Sequence, residues 1–124
     1  MLPRVIPKVR AIVFRDHGDP TTVVRLEQLE LSPVQPNEAR VKMLFAPVNP
    51  ADLNVIEGKY PLRPSLPAVP GMEGIGVVEE VGSAVRNLAT GTPVLLPHGI
   101  GTWREACVLA AKELVAVPPQ IAAE

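Results

Sequence analysis

The chain has 124 residues, a formal net charge of −1 and 47% apolar but only 3% aromatic residues. This length suits one domain with a modest core, and the charge lacks the basic footprint of a nucleic-acid-binding protein. No apolar run approaches the roughly 18 residues that a membrane span needs, and the N-terminal stretch lacks a signal-peptide core. We therefore expect a cytoplasmic protein with no membrane span and no nucleic-acid partner.

Cysteine, histidine and proline usage narrows the class further. The one cysteine, Cys107, excludes an internal disulfide and a multi-cysteine metal site. His17 and His98 lie far apart, and neither has a second ligand at short spacing, so no metal site is predicted. Fifteen prolines favour short strands separated by loops over a helical bundle.

The predicted elements are mainly strands, and the simplest fold is a β-barrel with one or two short helices. Residues 1–8 are expected to be a lead-in, followed by a domain over residues 9–124. Residues 16–20 form a turn cluster of Asp, Gly and Pro, and a helical turn is possible at 109–112. The predicted strands cover residues 9–15, 23–31 (with helix possible in its second half), 39–48, 74–81, 93–96, 103–109 and 114–117.

The most specific pattern lies between residues 49 and 82. Asn49-Pro50 predicts a helix start, because Asn can cap the first turn and Pro is tolerated at the first helical position. Gly58 is expected to end this helix in the left-handed conformation. Residues 59–71 are too rich in proline for regular structure, so we expect a stiff loop with Tyr60 at its mouth.

The string GMEGIG at residues 71–76 does not predict a nucleotide site. Its glycines follow the spacing G-x-x-G-x-G, and it precedes a strand. A dinucleotide-binding loop instead follows a strand and opens a helix, whose N-terminus meets the pyrophosphate. Gly74 and Gly76 are therefore expected to mark a bulge or a close approach of backbones.

Several polar and aromatic residues keep two interpretations when only the residues are considered. Tyr60 could donate a proton or hydrogen-bond an oxyanion, or its ring could simply pack in the loop. Asp52 could be a base, although a capping or solvated carboxylate is favoured. Glu73 is either buried and paired with another group, or simply exposed. Trp103 is a core residue or lines a substrate cleft, and Cys107 is most simply a small core residue.

The run NPADLNVIEGKYPLRPSLPAVPGMEGIGVVEEVGSAV, followed by GTPVLLP and GTWREACVL, closely resembles the N-terminal catalytic domain of the medium-chain dehydrogenase/reductase superfamily. The resemblance extends from Val9 to the end of the chain and implies a mainly β, GroES-like barrel. Its most specific parts are N-P-x-D at 49–52, G-x-Y at 58–60, residues 67–74 with Glu73, and V-x-x-V-G at 78–82.

The resemblance also implies that zinc is absent. Zinc alcohol dehydrogenases of this superfamily carry a cysteine just before the short helix and a histidine before the equivalent of Glu73. This chain has Val48-Asn49 and Met72 in those places. It is thus similar to the zinc-independent branch, which contains quinone oxidoreductases and 2-enoyl thioester reductases. The motifs most similar to the mitochondrial-type 2-enoyl thioester reductases are GKY at 58–60, LPAV at 66–69 and GTWR at 101–104.

Carried over residue by residue, the resemblance implies a reduction by NADPH in fatty acid synthesis. Hydride would reach the β-carbon of a 2-enoyl thioester, and Tyr60 would stabilise the resulting enolate or protonate its α-carbon. With the family in view, a functional Tyr60 is favoured. Asn49 would contact the nicotinamide end of the cofactor, and Trp103 would border the acyl cleft. The parent enzyme is expected to be a homodimer, located in mitochondria if its source is eukaryotic.

The family's Rossmann cofactor domain is expected to be missing from this chain. IAAE at 121–124 resembles the first turn of the helix that leads into that domain. Two alternatives stay open: a zinc-independent, NADPH-dependent quinone oxidoreductase, and a non-enzymatic GroES-like interaction module. A defined oligomeric ring in sedimentation would favour the module.

We predict that the 124-residue chain alone has no reductase activity and binds NADPH without saturation in a fluorescence titration. The reason is that the nucleotide-binding glycines of the family lie in the Rossmann domain. Tight, stoichiometric binding would contradict this prediction and would require a cofactor site within the barrel.

Overall fold

A computed structural model describes residues 7–118 and 120–121. Most of the predicted lead-in, and residues 122–124 of the predicted helix start, lie outside the described residues, and the domain bounds 9–124 stay a prediction. The elements are β1 (Lys8–Phe14), α1 (Pro20–Val23), β2 (Val24–Glu30), β3 (Glu38–Phe45), α2 (Pro50–Glu57), β4 (Ile75–Val81), β5 (Pro93–Leu95), β6 (Ala106–Ala110), a 3₁₀ turn (Ala111–Glu113) and β7 (Val115–Ala116).

The strands form two antiparallel sheets. Strands β6-β3-β4-β5-β7 make a five-stranded sheet in that order, and β1 pairs with β2 along its whole length. The smaller sheet is tied to the rest by isolated bridges from Ala11 to Arg104 and from Phe14 to Ala68. The mainly β fold predicted from the sequence is confirmed. Among the described residues, neither helix combines the length and apolar character needed to cross a bilayer.

Two clusters of buried side chains form the core. The first, here the Val41 cluster, fills the five-stranded sheet with Val41, Val78, Val94, Leu96, Cys107 and Leu109. The second, the Phe14 cluster, joins β1 to α2 and the loop before β4 through Phe14, Val55, Ile56 and Met72. Cys107 is a buried free thiol, as predicted, and burial raises its pKa because the thiolate would lose its hydration. The second cluster supports the candidate site.

Most predicted elements are confirmed, and the differences have local causes. The segment 23–31 forms a strand from Val24 to Glu30 that pairs with β1, so the helix alternative for its second half is wrong. A short helix that was not predicted, α1, follows Asp19, whose side chain accepts a hydrogen bond from the Thr21 N–H at 2.9 Å. Strand β3 ends at Phe45, short of the predicted end at residue 48, after a register shift between Met43 and Phe45, and the Phe45 side chain is 55% exposed. Before β6, Arg104 forms only an isolated bridge.

Gly74 and Gly76 lie where backbones and side chains approach closely, as predicted. A Cβ built on Gly76 would lie 2.5 Å from Val41 Cγ1 and 2.6 Å from the Lys42 carbonyl oxygen. One built on Gly74 would lie 2.5 Å from Met43 Cε. Glycine at these positions therefore lets β4 pack directly against the bulged part of β3.

We predict that Gly76→Ala lowers the free energy of unfolding by about 1–3 kcal/mol, because the Lys42 carbonyl is backbone and cannot move aside as a side chain could. Urea denaturation followed by circular dichroism measures the loss. Ser83→Ala, an exposed position just after β4, is the control and should change stability by less than about 0.5 kcal/mol. Equal stabilities for the two variants would contradict the close approach.

Candidate functional site

The N-terminus of α2 is held by a buried carboxylate. Asn49 stands at the N-cap position with extended backbone, and Pro50 is the first helical residue, as predicted. The Asp52 side chain is fully buried, with 0% of its surface exposed. Its Oδ2 accepts the Asn49 N–H at 2.7 Å, and its Oδ1 accepts the Met72 N–H at 2.8 Å. The capping interpretation of Asp52 is therefore confirmed, whereas the solvated one is wrong.

Glu73 is exposed and paired at the same time. Asn49 Nδ2 donates to Glu73 Oε2 at 2.7 Å, which links the start of α2 to the residue that precedes Gly74. The backbone of Glu73 is fixed from the other side, where the hydroxyl of the buried Thr102 donates to its carbonyl oxygen at 2.5 Å. The carboxylate is thus exposed to solvent on a backbone that buried groups hold in place.

An open cleft of about 340 Å³ lies beside Glu73. Its walls are mainly apolar, and Glu73 and His98 supply the titratable side chains. Its other lining residues are Phe45, Pro47, Met72, Gly74, Ile75, Leu95 and Leu96. An apolar cleft with a few polar groups suits a ligand that is mostly hydrophobic or aromatic and has a polar end.

Tyr60 lies just beyond the other end of α2. Gly58 ends the helix with φ of 78°, as predicted, and its N–H donates to the Val55 carbonyl. Arg63 Nη2 donates to the Gly58 carbonyl oxygen at 2.7 Å and so closes the start of the proline-rich loop. The half-buried Tyr60 packs against the Phe14 cluster, and its hydroxyl hydrogen-bonds to no described residue. The phenol is therefore held through its ring while its oxygen stays available.

Trp103 serves both the core and a cleft. Its ring packs against the Phe14 cluster, and its Nε1–H donates to the Pro47 carbonyl at 3.1 Å. It also lines a second cleft of about 430 Å³ together with Phe45, Thr102 and Arg104. Burial lowers the pKa of Arg104, whose Nε donates to the Ala106 carbonyl. Packing against the core, the first interpretation of Trp103, is confirmed, whereas the binding of substrate in the cleft that it lines stays a prediction.

The three predicted site residues surround one structural unit. Asn49 and Tyr60 flank α2, and Trp103 packs with Tyr60 against the Phe14 cluster and bonds to Pro47, two residues before Asn49. Sequence reasoning missed Thr102, because a buried threonine in a loop has no distinctive pattern. The clamping role of Asp52 had a signal, since an acid three residues after an N-cap Asn indicates a reciprocal cap.

Metal-ligating side chains are scattered in the structure. Within residues 7–118 and 120–121, no three His, Cys, Asp or Glu side chains lie close enough together to hold a metal ion. Met72 is buried in the Phe14 cluster, and Val48 is 68% exposed. These two residues occupy the neighbourhoods in which zinc-dependent relatives were expected to carry a histidine and a cysteine.

Comparison with known families and proteins agrees with this geometry. Residues 35–119 match the alcohol dehydrogenase GroES-like domain, and the chain belongs to that family. It is 48% identical over 114 residues to the mitochondrial enoyl-[acyl-carrier-protein] reductase of Rattus norvegicus. Identity to the corresponding protein of Homo sapiens is also 48%, over 115 residues. The match covers 91% and 92% of this chain but only 31% of each relative.

Solved reductase structures also superpose on this chain over about a third of their own length. The Etr1p complex with NADP and crotonyl-CoA superposes with a TM-score of 0.84 at 34% identity, over 91% of this chain and 34% of that one. A candidate NADPH:quinone reductase from Bacillus thuringiensis superposes with a TM-score of 0.85 at 38% identity, over 94% and 35%. The Etr1p/Etr2p 2-enoyl thioester reductase of Candida tropicalis, a heterodimer, has a TM-score of 0.84 at 32% identity, over 91% and 34%. The chain therefore spans about a third of the length of its relatives, and its resemblance to mitochondrial-type 2-enoyl thioester reductases is confirmed.

We predict that Thr102→Val destabilises the chain by about 1–3 kcal/mol, because the Glu73 carbonyl loses a buried donor that valine cannot replace. Thr102→Ser is the matched control, since it keeps the hydroxyl and loses only a methyl group, which costs about 0.8 kcal/mol. Urea unfolding midpoints of both variants give the comparison. A valine variant at least as stable as the serine variant would contradict the bond.

Proposed function

We propose that this chain is the catalytic domain of an NADPH-dependent 2-enoyl thioester reductase that acts in fatty acid synthesis. The main support is the 48% identity to mitochondrial enoyl-[acyl-carrier-protein] reductases across nine-tenths of the chain. The site adds a physical reason, because an available phenol, an oriented amide and an apolar cleft lie around α2. A fragment of this kind would be inactive alone and would act with the remainder of its parent enzyme.

The described residues fit the nicotinamide end of NADPH. Asn49 carries an amide oriented by Glu73 beside an apolar cleft, and an aromatic ring with a carboxamide suits such a surface. They do not fit its pyrophosphate, since the glycines at 71–76 are used for close packing against β3 and Thr102. When bound, NADPH would supply a hydride to the β-carbon of the enoyl group. We propose that the reaction needs no zinc.

In this proposal, Tyr60 handles the charge that develops on the thioester. Hydride arriving at the β-carbon breaks the carbon–carbon π bond and moves its electrons toward the carbonyl oxygen as an enolate. The Tyr60 hydroxyl either donates a hydrogen bond to that oxygen, in which case solvent protonates the α-carbon, or transfers its own proton to the α-carbon and is then reprotonated by solvent. The packing of its ring against the Phe14 cluster keeps the oxygen in one region, which lowers the entropic cost of the step.

Trp103 is proposed to border the acyl chain. It lines the 430 Å³ cleft with apolar residues of β3, and its indole N–H is already bonded to Pro47. Its contribution to substrate binding is then a flat apolar surface, which suits an acyl chain better than a polar group would. The assignment predicts an effect on acyl-chain preference more than on the chemical step.

Quinone reduction is the second candidate, favoured by the similarity to the candidate NADPH:quinone reductase from Bacillus thuringiensis. The non-enzymatic module receives no comparable support. We propose a mitochondrial location in a eukaryotic source, from the names of the relatives. We also propose a dimeric parent, since the Candida tropicalis enzyme is a heterodimer, and a homodimer is the form expected for one gene product.

We predict that Tyr60→Phe in the full-length gene product lowers kcat for 2-enoyl thioester reduction by about 10²–10³-fold and affects quinone reduction much less. The phenyl ring keeps the packing against the Phe14 cluster and removes only the hydroxyl. Steady-state NADPH oxidation with crotonyl-CoA and with a benzoquinone measures both activities. Arg86→Gln, far from α2 in sequence and exposed, is the control.

Unchanged thioester reduction in Tyr60→Phe would contradict the role of the phenol. Quinone reduction by the wild-type enzyme without thioester reduction would replace the first candidate with the second.

A further inference from the structure

Asp52 is a buried acidic group that the proposed reaction does not use. Its carboxylate is fully buried, and within the described residues no cation pairs with it. Both oxygens instead accept backbone N–H groups, at 2.7 and 2.8 Å. Burial of a carboxylate costs it its hydration, so Asp52 is expected to add little to the stability of the fold. Its presence instead suggests a role in specifying geometry.

The two N–H groups belong to the segments that meet at the candidate site. One is the N–H of Asn49, and the other is that of Met72, directly before Glu73. Across this junction, Asn49 Nδ2 donates to Glu73 Oε2 at 2.7 Å, although the two residues are 24 positions apart. The carboxylate of Asp52 therefore ties together the backbones on both sides of the Asn49–Glu73 contact.

We infer that Asp52 is a positioning residue that holds Asn49 and Glu73 as a preformed pair for a primary carboxamide. The bond between the two side chains uses one N–H of the Asn49 amide and Oε2 of Glu73. The second N–H of that amide and the other carboxylate oxygen can then bond to a ligand. A carboxamide offers the complementary acceptor and donor. This inference rests on the proposed function, in which that carboxamide is the one on the nicotinamide ring.

Each of the two N–H groups goes to a different oxygen of Asp52, so this arrangement needs two acceptor oxygens at this reach. Asparagine at position 52 has nearly the same shape but one oxygen, so its NH₂ would face one of the two backbone donors. Asp52→Asn should thus release one side of the junction while α2 still forms. Glutamate keeps both oxygens but moves them outward by one methylene, so Asp52→Glu is a second, milder variant.

The test compares Asp52→Asn with Val78→Ala, a core variant in the Val41 cluster whose residue lines neither cleft. Nuclear magnetic resonance of the ¹⁵N-labelled 124-residue chain follows the Asn49 side-chain amide, assigned with an Asn49→Ser variant. In the wild type, we expect one Nδ2 proton to be shifted and slow to exchange because Glu73 holds it. Asp52→Asn should return it to the free-amide position, whereas Val78→Ala should leave it unchanged.

The kinetic readout uses the full-length gene product. Asp52→Asn should raise KM for NADPH about tenfold, roughly the factor that one lost hydrogen bond gives, with kcat changed much less. An Asn49 signal that is unchanged in Asp52→Asn would overturn the inference. So would an Asp52→Asn variant that loses stability as Val78→Ala does while its KM for NADPH stays unchanged. If Asp52→Asn does not fold, the Asn49 signal and the KM for NADPH are measured in Asp52→Glu, and the same two criteria decide whether Asp52 is a positioning residue.

The two proposals fail in different ways. Absence of thioester reduction in the wild-type enzyme overturns the proposed function. The Asn49 signal then still shows whether Asp52 positions the Asn49–Glu73 pair. A wild-type enzyme that reduces thioesters while Asp52→Asn keeps both the signal and the KM overturns the positioning role alone.

Discussion

The hydrogen bonds of the Asp52 carboxylate connect the parts of the chain on which the candidate site depends. Helix α2 has eight residues, too few to be stable alone, so its position comes from its contacts. Val55 and Ile56 pack in the Phe14 cluster, and Asp52 fixes the first turn to the backbone of Met72. Tyr60 and Asn49 therefore have defined positions because apolar packing and one buried acid hold the helix between them.

Signals carried by local chemistry predicted most of the fold. Asn49-Pro50 and Gly58 gave the bounds of α2, because capping and positive φ depend on single residues. Asp19-Pro20 carries the same start signal, but it lies within a cluster of turn residues, and the four-residue α1 was missed. The end of β3 at Phe45 could not be predicted, since the register shift depends on the partner strand β4.

The candidate site was predicted less completely, for a different physical reason. Tyr60, Asn49 and Trp103 were selected because a family resemblance gave them roles, and their roles stay predictions. The links between them are long-range bonds, such as Trp103 to Pro47 and Asn49 to Glu73, which no local pattern encodes. Thr102 was invisible for the same reason, since its importance lies in one bond to a carbonyl 29 positions away.

The arrangement also explains how a loop rich in proline and glycine can carry a site. Gly71 has φ of 119°, and a side chain there would overlap Thr102, so the chain can approach the segment before β6 closely only with glycine. That approach brings the Thr102 hydroxyl to the Glu73 carbonyl while Asp52 holds the preceding N–H. Residues 71–76 thus resemble a nucleotide-binding loop in composition, yet their glycines serve backbone packing. The consequence is a carboxylate at the rim of an apolar cleft, carried by a backbone that is fixed although Glu73 itself lies outside any helix or strand.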